Sequence, residues 1–121
     1  MPFAGMDIGS TMTKVAITDE QGKILSSHIG PTGAEHRHLA LKVMDETVSK
    51  AGLSFGELDF IVATGYGRIN VPFADRQITE ITCHARGIRS LFPSARIIID
   101  IGGQDSKGIK LDADEIGRAH V

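Results

Sequence analysis

The sequence is poor in cysteine, in net charge and in long apolar runs. Its single cysteine, Cys83, excludes a disulfide within the chain and favours the reducing cytoplasm. A net charge of −2, with acidic and basic residues interspersed, argues against nucleic acid or an anionic membrane as a partner. No apolar run approaches the roughly 18 residues of a transmembrane helix, and the N-terminus lacks the features of a signal peptide. We therefore expect a cytoplasmic globular protein, in keeping with 41% apolar and 23% charged residues.

Two common glycine patterns for nucleotides are also absent. The chain has neither G-x-x-x-x-G-K-[ST] nor a G-x-G-x-x-G that opens a helix. It has instead one motif written twice, D-I-G-S-T-M-T-K at residues 7–14 and D-I-G-G-Q-D-S-K at residues 100–107. A carboxylate at a strand end, followed by a tight turn of small residues, suits a phosphate and its magnesium ion. Two such loops predict two half-sites that grip one polyphosphate.

Apolar periodicity predicts an α/β fold with a mixed sheet, in the order β-β-β-α-β-α-β-β. The predicted strands cover residues 3–8, 13–18, 23–29, 58–63, 95–101 and 107–111, and the predicted helices cover residues 35–51 and 78–92. A chain of 121 residues can hold one domain and the start of another. We expect a first domain at 1–94 and the first hairpin of a second, similar domain at 95–113.

The last eight residues, 114–121, continue no strand or helix pattern. Residues 115–121 also match the in-frame translation of a common DNA-sequencing adapter. We therefore expect a gene fragment whose tail is not native, and a natural polar terminus is the alternative.

The first motif has the chemistry of a phosphate loop. The carboxylate of Asp7 only accepts hydrogen bonds at neutral pH and suits a hydrated magnesium ion. Gly9 lets the backbone approach an anion, and the following hydroxyl residues offer donors. A plain hairpin turn is the alternative, but the repeat preserves Asp, Gly, hydroxyl and Lys rather than turn propensity alone. The predicted nucleotide-binding residues of this loop are Asp7, Gly9, Ser10, Thr11, Thr13 and Lys14.

The second motif has the residues expected of a loop that hydrolyses a terminal phosphate. Gly102 and Gly103 let a terminal phosphate lie against the backbone, and Gln104 could orient an attacking water. An amide is a poor base, so we expect slow hydrolysis unless a partner improves the geometry. Asp100 and Asp105 are alternative bases or metal ligands, and Gln104 as an exposed turn residue is the alternative. The predicted catalytic residues are Gln104 and Asp100. The predicted metal ligands are Asp7, from the first motif, and Asp100. The residues of this loop that are predicted to bind nucleotide are Gly102, Gly103 and Gln104.

Three other features lie outside the two D-I-G motifs. In the T-G-Y-G-R segment at residues 64–68, the glycines permit close packing or a hinge, and Arg68 could pair with phosphate or a carboxylate. An ordinary flexible loop is the alternative. Cys83 is expected to be a packing residue rather than a nucleophile or metal ligand. Glu80 and His84, four residues apart on a predicted helix, are expected to form an exposed pair.

Taken together, D-I-G-S-T-x-T-K, A-T-G-Y-G-R, I-T-E-I-T-C-H-A-R-G and I-D-I-G-G-Q-D-S-K resemble the activator ATPases of 2-hydroxyacyl-CoA dehydratases and benzoyl-CoA reductases. That family belongs to the superfamily of acetate and sugar kinases, heat-shock chaperones and actin. The resemblance spans residues 3 to about 111. It implies a ribonuclease-H-like, actin-type ATPase domain that binds ATP and Mg²⁺. It also implies a homodimer that shares one four-iron four-sulfur cluster and passes an electron to a dehydratase or an aryl-CoA reductase.

The chain departs from this family in what it lacks. The cluster cysteines of the family lie beyond the second phosphate loop, and the adenine-binding half is missing. We therefore expect that the parent protein hydrolyses ATP and that these 121 residues alone do not do so efficiently. One alternative is a small-molecule kinase of the same superfamily, with Asp105 or Glu80 as the base. The other is a module that binds nucleotide without catalysis.

Overall fold

The computed structural model describes residues 1–102, 106–111 and 119–120, the last two by their backbone. All eight predicted elements are present, and two strands of two residues each are added. Single 3₁₀ turns lie at Phe55–Glu57 and Arg68–Asn70. The elements in chain order are β1 Phe3–Ile8, β2 Met12–Thr18, β3 Ile24–Pro31, α1 His36–Lys50, β4 Phe60–Thr64, β5 Arg76–Gln77, α2 Glu80–Leu91, β6 Ile97–Ile101, β7 Ser106–Leu111 and β8 Ala119–His120.

The described chain divides into two compact units, residues 1–77 and 78–121. The first holds a five-stranded sheet in the order β3-β2-β1-β4-β5. Short turns join β1, β2 and β3 as an antiparallel meander. The β3–α1–β4 connection is long enough to return the chain parallel to β1, and β5 also pairs parallel to β4. The predicted mixed sheet is therefore confirmed.

One face of this sheet packs against α1. Residues that alternate along β1, β2 and β4 point to this face and meet the apolar side of the helix. Since Met6 and Ile8 are buried there, Asp7 between them points to the opposite face, at the end of β1. The buried core consists of Ala4, Met6, Ile8, Val15, Ile17, Ala40, Val43, Met44, Val48, Ile61, Ala63 and Val71.

The second unit is an antiparallel sheet, β6-β7-β8, with α2 on one face. Ala85 of α2 is buried with Ile109 and Leu111 of β7. The sequence predicts β6 as a buried strand, but its alternate isoleucines, Ile97, Ile99 and Ile101, are 72%, 75% and 79% exposed. Only one face of β6 packs against α2. Among the described residues, the three isoleucines on its other face are therefore exposed to solvent.

The C-terminal residues differ in part from the expectation that no strand continues there. The backbones of Ala119 and His120 pair with Leu111 and Lys110. The predicted domain boundary after residue 94 and the non-native tail remain predictions, although α2 groups with the hairpin that follows it. Among the described helices, none is long and apolar enough to cross a membrane.

Candidate functional site

The first motif forms a tight hairpin between β1 and β2. The amide of Gly9 donates to the carbonyl oxygen of Met12 at 2.9 Å and closes the turn. A Cβ at Gly9 would lie 2.9 Å from that same oxygen, which is closer than real Cβ contacts, so the turn requires glycine. Ser10 is half-buried and Thr11 is exposed at the tip. The predicted donors therefore lie on an accessible loop.

Asp7 and Lys14 face each other across this hairpin. They are direct cross-strand partners, and Nζ of Lys14 lies 3.4 Å from Oδ2 of Asp7. The side chain of Asp7 is 23% exposed, and that of Lys14 is 47% exposed. A pair this exposed adds little to stability. Its effect is to hold a carboxylate and an ammonium group side by side on the sheet face opposite α1, where the hairpin turn begins.

Thr13 and Thr32 hold the loop from inside. The hydroxyl of Thr32 donates to the carbonyl oxygen of Gly9 at 2.9 Å. The backbone amide of Thr32 donates to the carbonyl oxygen of Thr11, also at 2.9 Å. Because one hydroxyl has one proton, the 2.9 Å bond between the two threonine hydroxyls is donated by Thr13. The side chain of Thr13 is fully buried in this bond. It braces the loop, and a direct contact between Thr13 and nucleotide stays a prediction.

Thr32 was not among the predicted site residues. The available signal was the Gly30-Pro31-Thr32-Gly33 segment, which ends β3 beside the loop. A threonine at a strand end is ordinary in itself. Only the pairing of β3 with β2 brings it against the loop, so that its side chain and backbone both reach the turn.

The T-G-Y-G-R segment packs directly on the end of β1. Gly65 has a φ of +92°, and a Cβ built there would overlap Oδ1 of Asp7 and the carbonyl oxygen of Ile8. The amide of Gly67 donates to that same carbonyl oxygen at 2.8 Å. Of the predicted alternatives, the structure shows close packing. Arg68 donates through Nη1 to the carbonyl oxygen of Gly65 at 3.0 Å, and its pairing with phosphate stays a prediction.

The second motif pairs differently from the first. Asp100 and Lys107 are again direct cross-strand partners. However, Oδ2 of Asp100 lies 3.3 Å from Nδ1 of His84, and Nζ of Lys107 lies 3.6 Å from Oε2 of Glu80. Both Glu80 and His84 therefore reach from α2 to the hairpin, and the expected pair between them stays a prediction. His84 was therefore missed as the partner of a predicted site residue.

Gly102 is exposed at the end of β6, whereas Gly103, Gln104 and Asp105 lie outside the described residues, so their predicted roles stay predictions. Cys83 is half-buried and lines a cavity of about 340 Å³ that is also bounded by β6 isoleucines. Among residues 1–102 and 106–111, no group of three or more His, Cys, Asp or Glu side chains could hold a metal ion.

Comparison with known proteins places these features in context. The model of the BadF/BadG/BcrA/BcrD ATPase family matches residues 4–119. The chain is 43% identical over 108 residues to the activator of lactoyl-CoA dehydratase from Anaerotignum propionicum, covering 89% of this chain and 41% of that protein. It also superposes on the activator of the 2-hydroxyisocaproyl-CoA dehydratase from Clostridium difficile with bound ADPNP. There the TM-score is 0.85 at 42% identity, over 98% of this chain and 43% of the other.

A more distant structure shows how widely the fold is shared. The ROK hexokinase from Thermus thermophilus superposes with a TM-score of 0.68 over 98% of this chain and 47% of its own, at 16% identity. A likeness at that identity shows the actin-like fold alone. The chain spans about two fifths of the length of the curated relatives it matches.

Proposed function

The chain belongs to the BadF/BadG/BcrA/BcrD ATPase family, and we propose that it is the N-terminal part of an ATPase. In that proposal, ATP hydrolysis drives a low-potential electron onto a 2-hydroxyacyl-CoA dehydratase or an aryl-CoA reductase. Because the chain spans about two fifths of its relatives, the activity, the cytoplasmic setting and the partner are proposed for the whole protein. The observation that carries the proposal is the Asp7–Lys14 pair. It lies where the turn of the first hairpin begins, next to the glycine and the two threonines that hold that turn.

The first loop fits a magnesium-bound phosphate. Asp7 offers an acceptor that suits the water shell of Mg²⁺, and Lys14 beside it offers a cation for phosphate oxygens. Gly65 keeps the backbone close to that carboxylate, and the Cβ position of Gly9 lies 3.7 Å from Nζ of Lys14. Mg²⁺, when bound, neutralises charge on the phosphates. The binding roles of Ser10, Thr11, Thr13 and Gly102 belong to the same proposal.

The second loop would supply the catalytic groups. We assign to Gln104 the orientation of the attacking water, and to Asp100 the role of an acceptor near it. The imidazole of His84 lies 3.3 Å from the Asp100 carboxylate and would restrict its rotation. Gly103, next to Gln104, would give the terminal phosphate room against the backbone.

The iron-sulfur cluster does not fit this chain by itself. A four-iron four-sulfur cluster takes four thiolate ligands, and the sequence has one cysteine. Two copies of this chain would still supply only two thiolates. We therefore propose the cluster, and the homodimer that shares it, for the whole protein only, with ligands outside these residues.

ATP turnover by the full-length protein that contains this chain tests the proposal. We expect hydrolysis that depends on Mg²⁺ and needs no sugar or acetate, and electron delivery to a dehydratase or an aryl-CoA reductase. Gln104→Ala should lower turnover, whereas Gln21→Ala, an exposed glutamine at the other end of β2, should not. Phosphorylated sugar or acetate as the product would favour the kinase alternative. Nucleotide binding without turnover would favour the non-catalytic module.

A further inference from the structure

Thr64 carries a buried hydroxyl without a hydrogen bond in the described part of the chain. The residue ends β4 and is 8% exposed, and its Oγ1 has no partner among those residues. A buried polar group that lacks a partner costs free energy, so such groups are rare. The three other buried threonines all have partners. They are Thr13, Thr32 and Thr47.

The position of Thr64 places this hydroxyl beside Asp7, where the first D-I-G loop begins. Thr64 is the direct partner of Asp7 in the parallel β1–β4 pair, and Asp7 is the direct partner of Lys14 in the β1–β2 pair. Directly paired residues point to the same face of a sheet. Lys14, Asp7 and Thr64 therefore form one row across three neighbouring strands, with the carboxylate between an ammonium group and a hydroxyl.

The backbone after Thr64 keeps it in that row. Gly65 packs against the Asp7 carboxylate at a positive φ, and Gly67 is hydrogen-bonded to Ile8. A β-branched side chain also has few rotamers available. Valine would fill the same space without an unpaired hydroxyl, so packing alone does not account for a threonine. The hydroxyl is therefore placed to form a hydrogen bond with a ligand that Asp7 and Lys14 also contact.

We propose that the hydroxyl of Thr64 binds an oxygen of the metal–phosphate group held by Asp7 and Lys14. That oxygen belongs either to a phosphate or to a water on the magnesium ion. The inference rests on the proposed nucleotide site and adds Thr64 to it as a binding residue. Thr64 lies outside both D-I-G motifs, which lie at residues 7–14 and 100–107.

The experiment measures the affinity of the full-length protein for ADPNP, with Mg²⁺ or with EDTA, and its Tm without nucleotide. Thr64→Val removes the hydroxyl and keeps the shape. We expect it to bind Mg²⁺-ADPNP about tenfold more weakly, the usual effect of a hydrogen bond to a charged group. Its Tm should be unchanged or higher. Thr64→Ser, which keeps the hydroxyl, should bind almost as well as the wild type.

Thr47→Val is the matched control. Its hydroxyl is also buried, but it donates to the carbonyl oxygen of Val43 in its own helix. This variant should lower the Tm and leave the ADPNP affinity unchanged. The pair of valine variants thus separates a hydroxyl that serves the fold from one that serves the ligand.

Each outcome decides the inference. A loss of affinity seen with Mg²⁺ alone assigns the contact to a metal-bound water, and an equal loss in EDTA assigns it to a phosphate oxygen. Unchanged affinity in Thr64→Val overturns the inference. So does a lowered Tm in that variant, or a Thr64→Ser variant as weak as Thr64→Val. If the wild type itself does not bind ADPNP, the proposed function fails as well, which distinguishes the two failures.

Discussion

The carboxylate of Asp100 lies 3.3 Å from Nδ1 of His84, although the repeated motif places it directly opposite Lys107. In the first copy of the motif, Asp7 lies opposite Lys14 and pairs with it. The two copies therefore share their backbone register but not their side-chain partners. The difference arises because α2 lies beside the second hairpin and offers Glu80 to Lys107. One motif thus gives two electrostatic environments.

Replacing His84 should affect catalysis more than nucleotide binding. Without the imidazole, the Asp100 carboxylate can rotate, and partners that orient a site carboxylate are worth about tenfold in activity. We expect His84→Ala to lower the kcat of ATP hydrolysis by about that factor with little change in KM. His84→Asn should restore part of the loss, because its amide can reach the same oxygen. His38→Ala, an exposed histidine on α1, is the control. Equal kcat values for His84→Ala and the wild type would contradict this prediction.

Neutralising Asp7 should weaken nucleotide binding in magnesium. Asp7→Asn keeps the size of the side chain but removes the charge that attracts a hydrated cation. The expected change is a dissociation constant for Mg²⁺-ADPNP about tenfold or more higher. Stability should change by less than about 1 kcal/mol, because the ion pair with Lys14 is partly exposed. Asp45→Asn on the exposed side of α1 is the matched control, and titration calorimetry measures the affinity. An unaltered dissociation constant would remove Asp7 from the site.

Adding one methyl group at Gly65 should destabilise the first unit. Gly65 combines a positive φ with a Cβ position that overlaps Asp7 and Ile8, whereas Gly52 has a φ of +76° and open space. Gly52→Ala should therefore cost about 1 kcal/mol, the effect of the backbone conformation alone. Gly65→Ala should cost about 2 kcal/mol more, since the neighbouring strand must also shift. Urea unfolding of the two variants measures the difference, and similar values would show that the overlap relaxes freely.

Removing the hydroxyl of Thr32 should loosen the first loop. Thr32→Val loses the bond to Gly9 and leaves the buried hydroxyl of Thr13 without its acceptor. The expected loss of unfolding free energy is about 1–3 kcal/mol. Thr13→Val on the Thr32→Val background should cost less than Thr13→Val alone, because no unpaired hydroxyl then remains. A double-mutant cycle from urea unfolding checks this. Strictly additive losses would show that the two hydroxyls do not depend on each other.

Sequence reasoning predicted most of the fold because its signals are local. The alternation in β1 and β2, the helical spacing in α1 and the turn residues between them each act within a few positions. The two-residue strand β5 escaped prediction, because so short a segment has no periodicity and pairs with β4 only once the sheet exists. Burial of β6 was overestimated, because an apolar run does not reveal which of its faces finds a neighbour.

The sequence by itself determined that an aspartate and a lysine, seven positions apart in each motif, would face each other across a hairpin. That follows from the two-residue period of strands and a tight turn, both of which are local. Only the tertiary structure decided which partner each aspartate takes, Lys14 for Asp7 and His84 for Asp100. It also decided that Thr32 braces the first loop and that Thr64 lies beside Asp7. These neighbours come from distant segments, and strand pairing or helix packing, rather than chain spacing, brings them together.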